Sequence, residues 1–234
     1  MSMGRVRVQF PWQERKNQKT PWIRLIQPHS GAGKGFHFIP EIGEEVLVGF
    51  ESGNAEKPFV LGTHYNGSET SGYHTSGNDV KAIKTRSGIE TLANDAEGSW
   101  KQSTPDGNYL QFDGQGNATL NIPKNFNILV GEDFTINVGG NLYKLVAMNE
   151  NSAIGATSTE SVGGVKNLSI GMDMLTNVTG KLVEIIHGDV HSETKKGERK
   201  ETSEKPIIIL SNESIFKNSD KKIFITSSEN TNIF

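Results

Sequence analysis

The 234-residue sequence contains no cysteine, which removes disulfides, thiolate zinc sites and cysteine nucleophiles together. It has no apolar run near the roughly 18 residues needed to span a bilayer, and Met1 to Phe10 lacks the apolar core of a signal peptide. A soluble chain that starts in a cytoplasm is the expectation. Charge of one sign is also lacking: 24 basic and 27 acidic residues leave a net charge of −3. With a pI of about 6.1, there is no field to gather phosphate polymers or an anionic membrane, so nucleic acid is not an expected partner. The apolar fraction of 34% is low until the 26 glycines are added, and the sum is that of a globular protein. These glycines follow no three-residue period, which excludes collagen.

What is present first is a series of short strand patterns cut by turn signals. In Arg5-Val6-Arg7-Val8-Gln9-Phe10 the apolar residues alternate with polar ones, as in a half-buried strand. Similar runs follow at 22–26, 45–50 and 58–62. Several strands in so short a span, without a helical period, predict a small barrel of OB type over residues 1–70. Residues 71–122 read as a connecting β region, with apolar pieces at 80–83, 88–92, 109–112 and 120–122. Its clearest turn is Pro105-Asp106-Gly107-Asn108.

The strongest pattern comes next. Val130, Val138, Val146, Ile154, Val162, Ile170, Val178 and Ile186 are β-branched residues spaced by eight without a miss. Glycine or alanine follows each at 131, 139, 147, 155, 163 and 171, and then glycine falls one place later, at Gly180 and Gly188, which reads as a slip of register. A fixed period with one strand and one bend per unit is the mark of a repeat architecture, and the glycine density excludes helix. About six extended residues at roughly 3.3 Å each make a side near 20 Å, and three sides close a triangle. One chain winding alone leaves a single β-branched anchor per side. Three chains around one axis stack their strands on every side and bring the valines into one interior column, so a homotrimer is expected. Rising one strand spacing per octad, about 4.8 Å, residues 123–200 would form a needle roughly 50 Å long. The fold class expected is therefore all-β: an OB-fold barrel followed by an intertwined trimeric triple-stranded β-helix.

Residues 201–234 read as a tip region. The mixed charges of 191–205 are a solvated face, whereas Ile207 to Leu210 and Ile223 to Ile225 would be sticky edges unless packed against copies of themselves.

Candidate chemistry is thin. His187 and His191 have a metal-ligand spacing on a helix, but here fall at the end of a strand pattern, where threefold symmetry could still bring copies to an axis. Glu44 with Glu45, and Asp95 with Glu97, supply carboxylates without a pocket. The segment 30–35 (Ser-Gly-Ala-Gly-Lys-Gly) lacks the spacing of a phosphate loop and is a barrel loop. Trp12 and Trp22 could stack bases in an OB barrel, but without a basic groove they read as core or trimer contacts. No catalytic residue, cofactor or enzyme activity is expected.

The pieces Gly4-Arg5-Val6-Arg7-Val8-Gln9-Phe10-Pro11-Trp12, Trp22-Ile23-Arg24-Leu25, 43–51 (GEEVLVGFE), 57–62 (KPFVLG) with Tyr65-Asn66, and 83–88 (IKTRSG) occur in one order that resembles the VgrG spike proteins of type VI secretion systems and the central spikes of contractile phage tails. The resemblance implies an OB barrel, a trimeric needle, and a structural role in puncturing a target envelope. It also implies partners: the tail tube or hub, baseplate proteins, a PAAR-like tip protein, and effectors carried along. Such a spike would assemble in the cytoplasm and then be injected. Relatives normally begin with a large hub, so a chain opening at the barrel reads as truncated or as a short phage-type spike, and Met1-Ser2-Met3 as a cloning remnant. The alternatives are a phage-tail baseplate spike, an OB nucleic-acid module, and a glycan-binding tailspike.

Overall fold

A computed structural model describes residues 3–226. The chain divides into two units, Met1–Lys144 and Leu145–Phe234.

In the first unit, a one-turn helix α1 (Pro11–Glu14) precedes β1 (Arg24–Leu25), β2 (Ser30–Gly31), β3 (Lys34–Gly35), β4 (Val46–Phe50) and β5 (Pro58–Thr63). Strand β5 is the centre of a three-stranded sheet, parallel to β1 and antiparallel to β4, with a register shift between Leu47 and Val48. The expected strand at 5–10 contributes only an isolated antiparallel bridge, Val6 to Ile23. It gives way to α1 because Pro11 has its φ preset for a first helical turn and no N–H to lose there. The Gln13 side chain closes that turn by accepting from the Phe10 N–H at 3.1 Å.

The core is small: Val6, Ile23 and Val60, with Val8, Leu25, Ile39, Val46 and Val48 packed around them. Thr20 is buried beside it and satisfied. Its Oγ1 accepts from the Val8 N–H at 3.0 Å and its own N–H donates to the Val8 carbonyl at 2.8 Å.

The same unit then forms an antiparallel meander, β6 (Val80–Lys84), β7 (Glu90–Asn94), β8 (Ser99–Ser103), β9 (Tyr109–Phe112) and β10 (Ala118–Asn121), in the order β10-β9-β8-β7-β6. The turn at 105–108 closes β8 to β9, with the Thr104 N–H donating to the Asn108 carbonyl and Gly107 at φ +90°. At Gly114 in the next turn, φ is +76° and an added Cβ would run into the Glu97 carbonyl oxygen, so two turns touch through a missing side chain.

Among the described residues no strand follows Asn121. The backbone instead alternates six extended residues with a two-residue bend, at 123/124, 131/132, 139/140, and, in the second unit, 147/148, 155/156, 163/164, 171/172, 179/180 and 187/188. The bend period therefore holds through Gly180 and Gly188, and the slip read there from the glycines is not a slip of the backbone. Glycine has only moved from the first to the second position of the bend. The break comes later, at a three-residue bend 195–197, after which bends resume at 204/205, 212/213 and 220/221. The part of the tip region at 227–234 lies outside the described residues.

Candidate functional site

Two surfaces stand out, and neither is a catalytic pocket. The first is one face of the meander. Cross-strand register places Ile83, Gln102, Leu110 and Leu120 in one row, and Trp100 and Phe112 in another on the same side. The Trp100 and Phe112 rings lie 5.8 Å apart. Ile83, Phe112 and Leu120 remain about half exposed, so the apolar face is uncovered within the chain.

The opposite face is polar. Lys84 and Glu90 sit across from each other, with Nζ to Oε1 at 3.6 Å, and the Tyr73 hydroxyl donates to the same Glu90 oxygen. That hydrogen bond, chiefly, holds the Glu90 carboxyl below its ordinary range and raises the Tyr73 hydroxyl above its own. Lys84, bonded to Tyr73 and beside Glu90, is raised as well. Lys101 lies over the Tyr109 ring at 4.8 Å. These groups are mutually satisfied and solvated, which is the arrangement of an outer sheet surface rather than of an acid and base facing a substrate.

The second surface is the eight-residue repeat. In each extended segment the residues at the second, fourth and sixth places share one side. The sixth place holds Val130, Val138, Val146, Ile154, Val162, Ile170, Val178 and Ile186, whose exposure is 43–57%. Apolar residues at the second and fourth places, such as Phe126, Ile128, Leu168 and Met174, lie at 51–73%. Those at odd places, from Leu129 and Leu145 to Leu210 and Phe216, lie at 75–97%, with Val183 the exception. The winding of one chain thus already distinguishes a sheltered side from an outer side. The sixth-place column on the sheltered side is apolar throughout from Val130 to Ile186, whereas the second and fourth places also hold Lys144, Glu150, Ser152, Ser158, Glu160, Lys166, Thr176 and Glu184.

The repeat glycines are not needed for the chain's own conformation. None from Gly131 onward has a positive φ, and a Cβ on Gly131, Gly139, Gly155, Gly163 or Gly171 would meet nothing within 4 Å. At 147/148 the bend is made by Ala147 and Met148 with no glycine at all.

The remaining candidates separate. His187 sits in a bend, and His191 in the following segment is exposed, with Nε2 4.0 Å from Glu193 Oε2. Among the described residues no group of three or more His, Asp or Glu is placed to hold a metal. Glu44 accepts from the Glu41 N–H and Glu45 from Asn66 Nδ2, so each caps a loop. Asp95 lies 3.8 Å from Lys81 Nζ, and Glu97 accepts from the Ser99 hydroxyl. The segment 30–35 is an exposed two-stranded hairpin. Trp12 is exposed and stacks on Phe10 with ring centroids 4.5 Å apart, and Arg7 lies over Trp22 at 5.9 Å.

Residues 1–65 match the family described as the type VI secretion system/phage-baseplate injector OB domain. The match coincides with the core and sheet of β1, β4 and β5. Among curated proteins, the chain is 27% identical over 209 residues to the type VI secretion system spike protein VgrG1a of Pseudomonas aeruginosa, covering 80% of this chain and 31% of that protein. It is 28% identical over 174 residues to the actin cross-linking toxin VgrG1 of Vibrio cholerae, covering 72% of this chain and 15% of the toxin. The spike protein VgrG2a of Pseudomonas aeruginosa is 43% identical over 65 residues. The chain resembles the VgrG-type spike proteins. The longest of these alignments covers 80% of the chain, although the chain spans less than a third of the length of these VgrG relatives.

Apart from one short helical turn and one 3-10 turn, the regular elements among the described residues are strands, and no helix among them is long and apolar enough to cross a membrane.

Proposed function

We propose that the chain is the structural spike segment of a contractile injection machine of the type VI secretion kind, acting as a homotrimer whose needle is driven through a target envelope together with effectors. The observation that carries this reading is the repeat. More than a hundred described residues hold an extended, regularly bent backbone with no strand ladder, and the column of β-branched residues from Val130 to Ile186 is left about half exposed. Backbone groups and apolar residues are not left so in a folded protein. Three copies wound about one axis would supply both the ladder and the cover, with Val130 to Ile186 meeting inside. The bare bends leave room for close backbone approach by a neighbouring copy. The half-exposed face of Ile83, Trp100, Phe112 and Leu120 would close the base of the same assembly.

In this reading the barrel is the coupling collar to the tail tube, hub and baseplate, and the far end of the repeat takes a PAAR-like tip protein. The spike assembles in the cytoplasm before injection. It works without chemistry: stiffness comes from interwound strands, because freeing one chain breaks ladders with two neighbours. A phage-tail baseplate spike is the second reading, favoured by the injector OB domain common to both machines.

The test is the mass of the full chain in solution. A species near three times 25.6 kDa is expected, and a monomer with the same repeat intact would overturn the reading.

A further inference from the structure

Strand β10 is an edge that the chain leaves open. It is outermost in the meander, its four residues are exposed, and no described residue pairs with its far side. The Asp113 N–H donates to the Asn117 carbonyl. From that pair the antiparallel ladder alternates, so Thr119 and Asn121 bond to β9 while the N–H and C=O of Ala118 and Leu120 point to the open side. The opposite edge strand, β6, carries Lys81 and Lys84, charges of the kind that blunt an edge. Strand β10, Ala-Thr-Leu-Asn, has neither charge nor proline.

The same strand is in phase with the repeat. Counted back eight residues from 125–130, the segment 117–122 lies between bends at 114–116 and 123/124 and places Ala118, Leu120 and Ile122 second, fourth and sixth. Ile122 is thus one octad before Val130, and Leu120, 52% exposed, is sheltered to the same degree as the column that follows. The chain does not turn back at 123/124 to lay a sixth strand on β10, because the next segment, 125–130, is extended and unpaired. That segment is also uncharged, whereas every later one as far as 198–203 carries at least one charge.

We infer that β10 is the joint at which pairing within one chain gives way to pairing between copies: the open edge of each β10 takes the segment 125–130 of a neighbouring copy as its next strand. This deepens the trimer reading and rests on it. Both partners have backbone groups unpaired in the single chain, which a folded protein does not leave unmade, and neither brings a charge to the ladder. Every copy passes the bend 123/124 in the same sense, so the added strand runs parallel to β10 and one octad ahead. Asn127 then stands beside Thr119 on the outer side, and Ile128 beside Leu120 on the sheltered one. Two β10 edges facing each other would instead make a self-complementary contact and a dimer.

Hydrogen exchange on the full chain reads the edge directly. In the trimer the amides of Ala118 and Leu120 should exchange about 100-fold or more slowly than in an unstructured peptide, as should those of Thr119 and Asn121 that β9 already holds. The occupant is read by cysteine pairs, which a chain without cysteine permits. The double variant Thr119→Cys/Asn127→Cys, treated with dibromobimane, should give covalent trimers, because each chain is bridged to the next, while either single variant should stay unbridged. Rapid exchange at Leu120 in a trimeric parent, protection without bridged trimers, or covalent dimers from Thr119→Cys alone overturns the joint while leaving the trimer standing. A monomeric parent overturns both.

Discussion

Replacing Val162 by aspartate probes the assembly at the centre of its repeat. Val162 is 47% exposed in the single chain, so about half of its side chain has yet to be covered. Fully burying a valine contributes about 1.5–3 kcal/mol, and the uncovered half therefore about 1 kcal/mol per chain. Aspartate loses that contribution in all three copies and adds three carboxylates to a closed interior, each at an effective cost of several kcal/mol. The total is on the order of 10 kcal/mol or more, comparable with the whole stability of a domain. At neutral pH Val162→Asp should not form trimers. Desolvation and like charge raise the pKa of such carboxyls, so acidification should restore some association by neutralising them. Two controls fix the interpretation. Val162→Ile should assemble normally, because isoleucine holds the same place at Ile154, Ile170 and Ile186. Ser161→Asp, on the outer side, should leave mass and melting unchanged. Light scattering and thermal unfolding of the four proteins decide it. Normal trimers of Val162→Asp melting with the parent would mean that Val162 faces solvent and that the reasoning is wrong.

Other outcomes follow from the first unit. Thr20→Val removes the acceptor of the Val8 N–H, and should cost about 1–3 kcal/mol, read as a lower melting temperature. Gly114→Ala should be destabilising by more than the ordinary cost of a left-handed alanine, about 1–2 kcal/mol, because the Glu97 carbonyl stands in the way; an unchanged melt would show that the two turns part freely. Glu90 has a carboxyl pKa lowered from 4.5 by the Tyr73 hydrogen bond. Its contribution is present above that value and lost as pH falls through the folded pKa, so Glu90→Gln should flatten the acid limb of the stability profile.

The strands that alternate or carry β-branched runs were legible: β4, β5, β6 and β9 fall where apolar periodicity puts them. Strand β8, Ser-Trp-Lys-Gln-Ser, carries no such run. It is a strand because Trp100 and Gln102 are paired on both sides, by Ala93 and Thr91 in β7 and by Phe112 and Leu110 in β9. Pairing of this kind is tertiary and leaves little trace in five residues. The opposite error occurs at 5–10, where a good alternating pattern yields a single bridge because Pro11 starts a helical turn. The polar face around Tyr73, Lys84 and Glu90 was invisible for a related reason: Tyr73 lies seventeen residues from Glu90, and only the loop before β6 brings it over the sheet.

The repeat shows which part of a periodic sequence the backbone obeys. Glycine moves from the first to the second bend position between 171/172 and 179/180, yet the bends keep their spacing of eight, so glycine marks the bend without dictating it. What stays in phase from 130 to 186 is the β-branched residue at the sixth place. The sixth place turns polar at Thr194, just before the three-residue bend at 195–197, and stays so at Ser203, Ser211 and Ser219. The second place takes over, with Ile207, Ile215 and Ile223 spaced again by eight. Their exposure of 51–54% falls within the 43–57% of the column they replace. The extra residue at 195–197 thus shifts the anchor along the segment while preserving the sheltered side, which a count of valines alone reads as the end of the repeat. If that is the physical content of the pattern, deleting Gly197 should leave the bends at 204/205 and beyond one residue early relative to any partner chain that keeps it. Mixed assemblies of deleted and parent chains should then melt lower than either pure form, and mixtures that melt with the parent would show that register beyond 197 is not shared between copies.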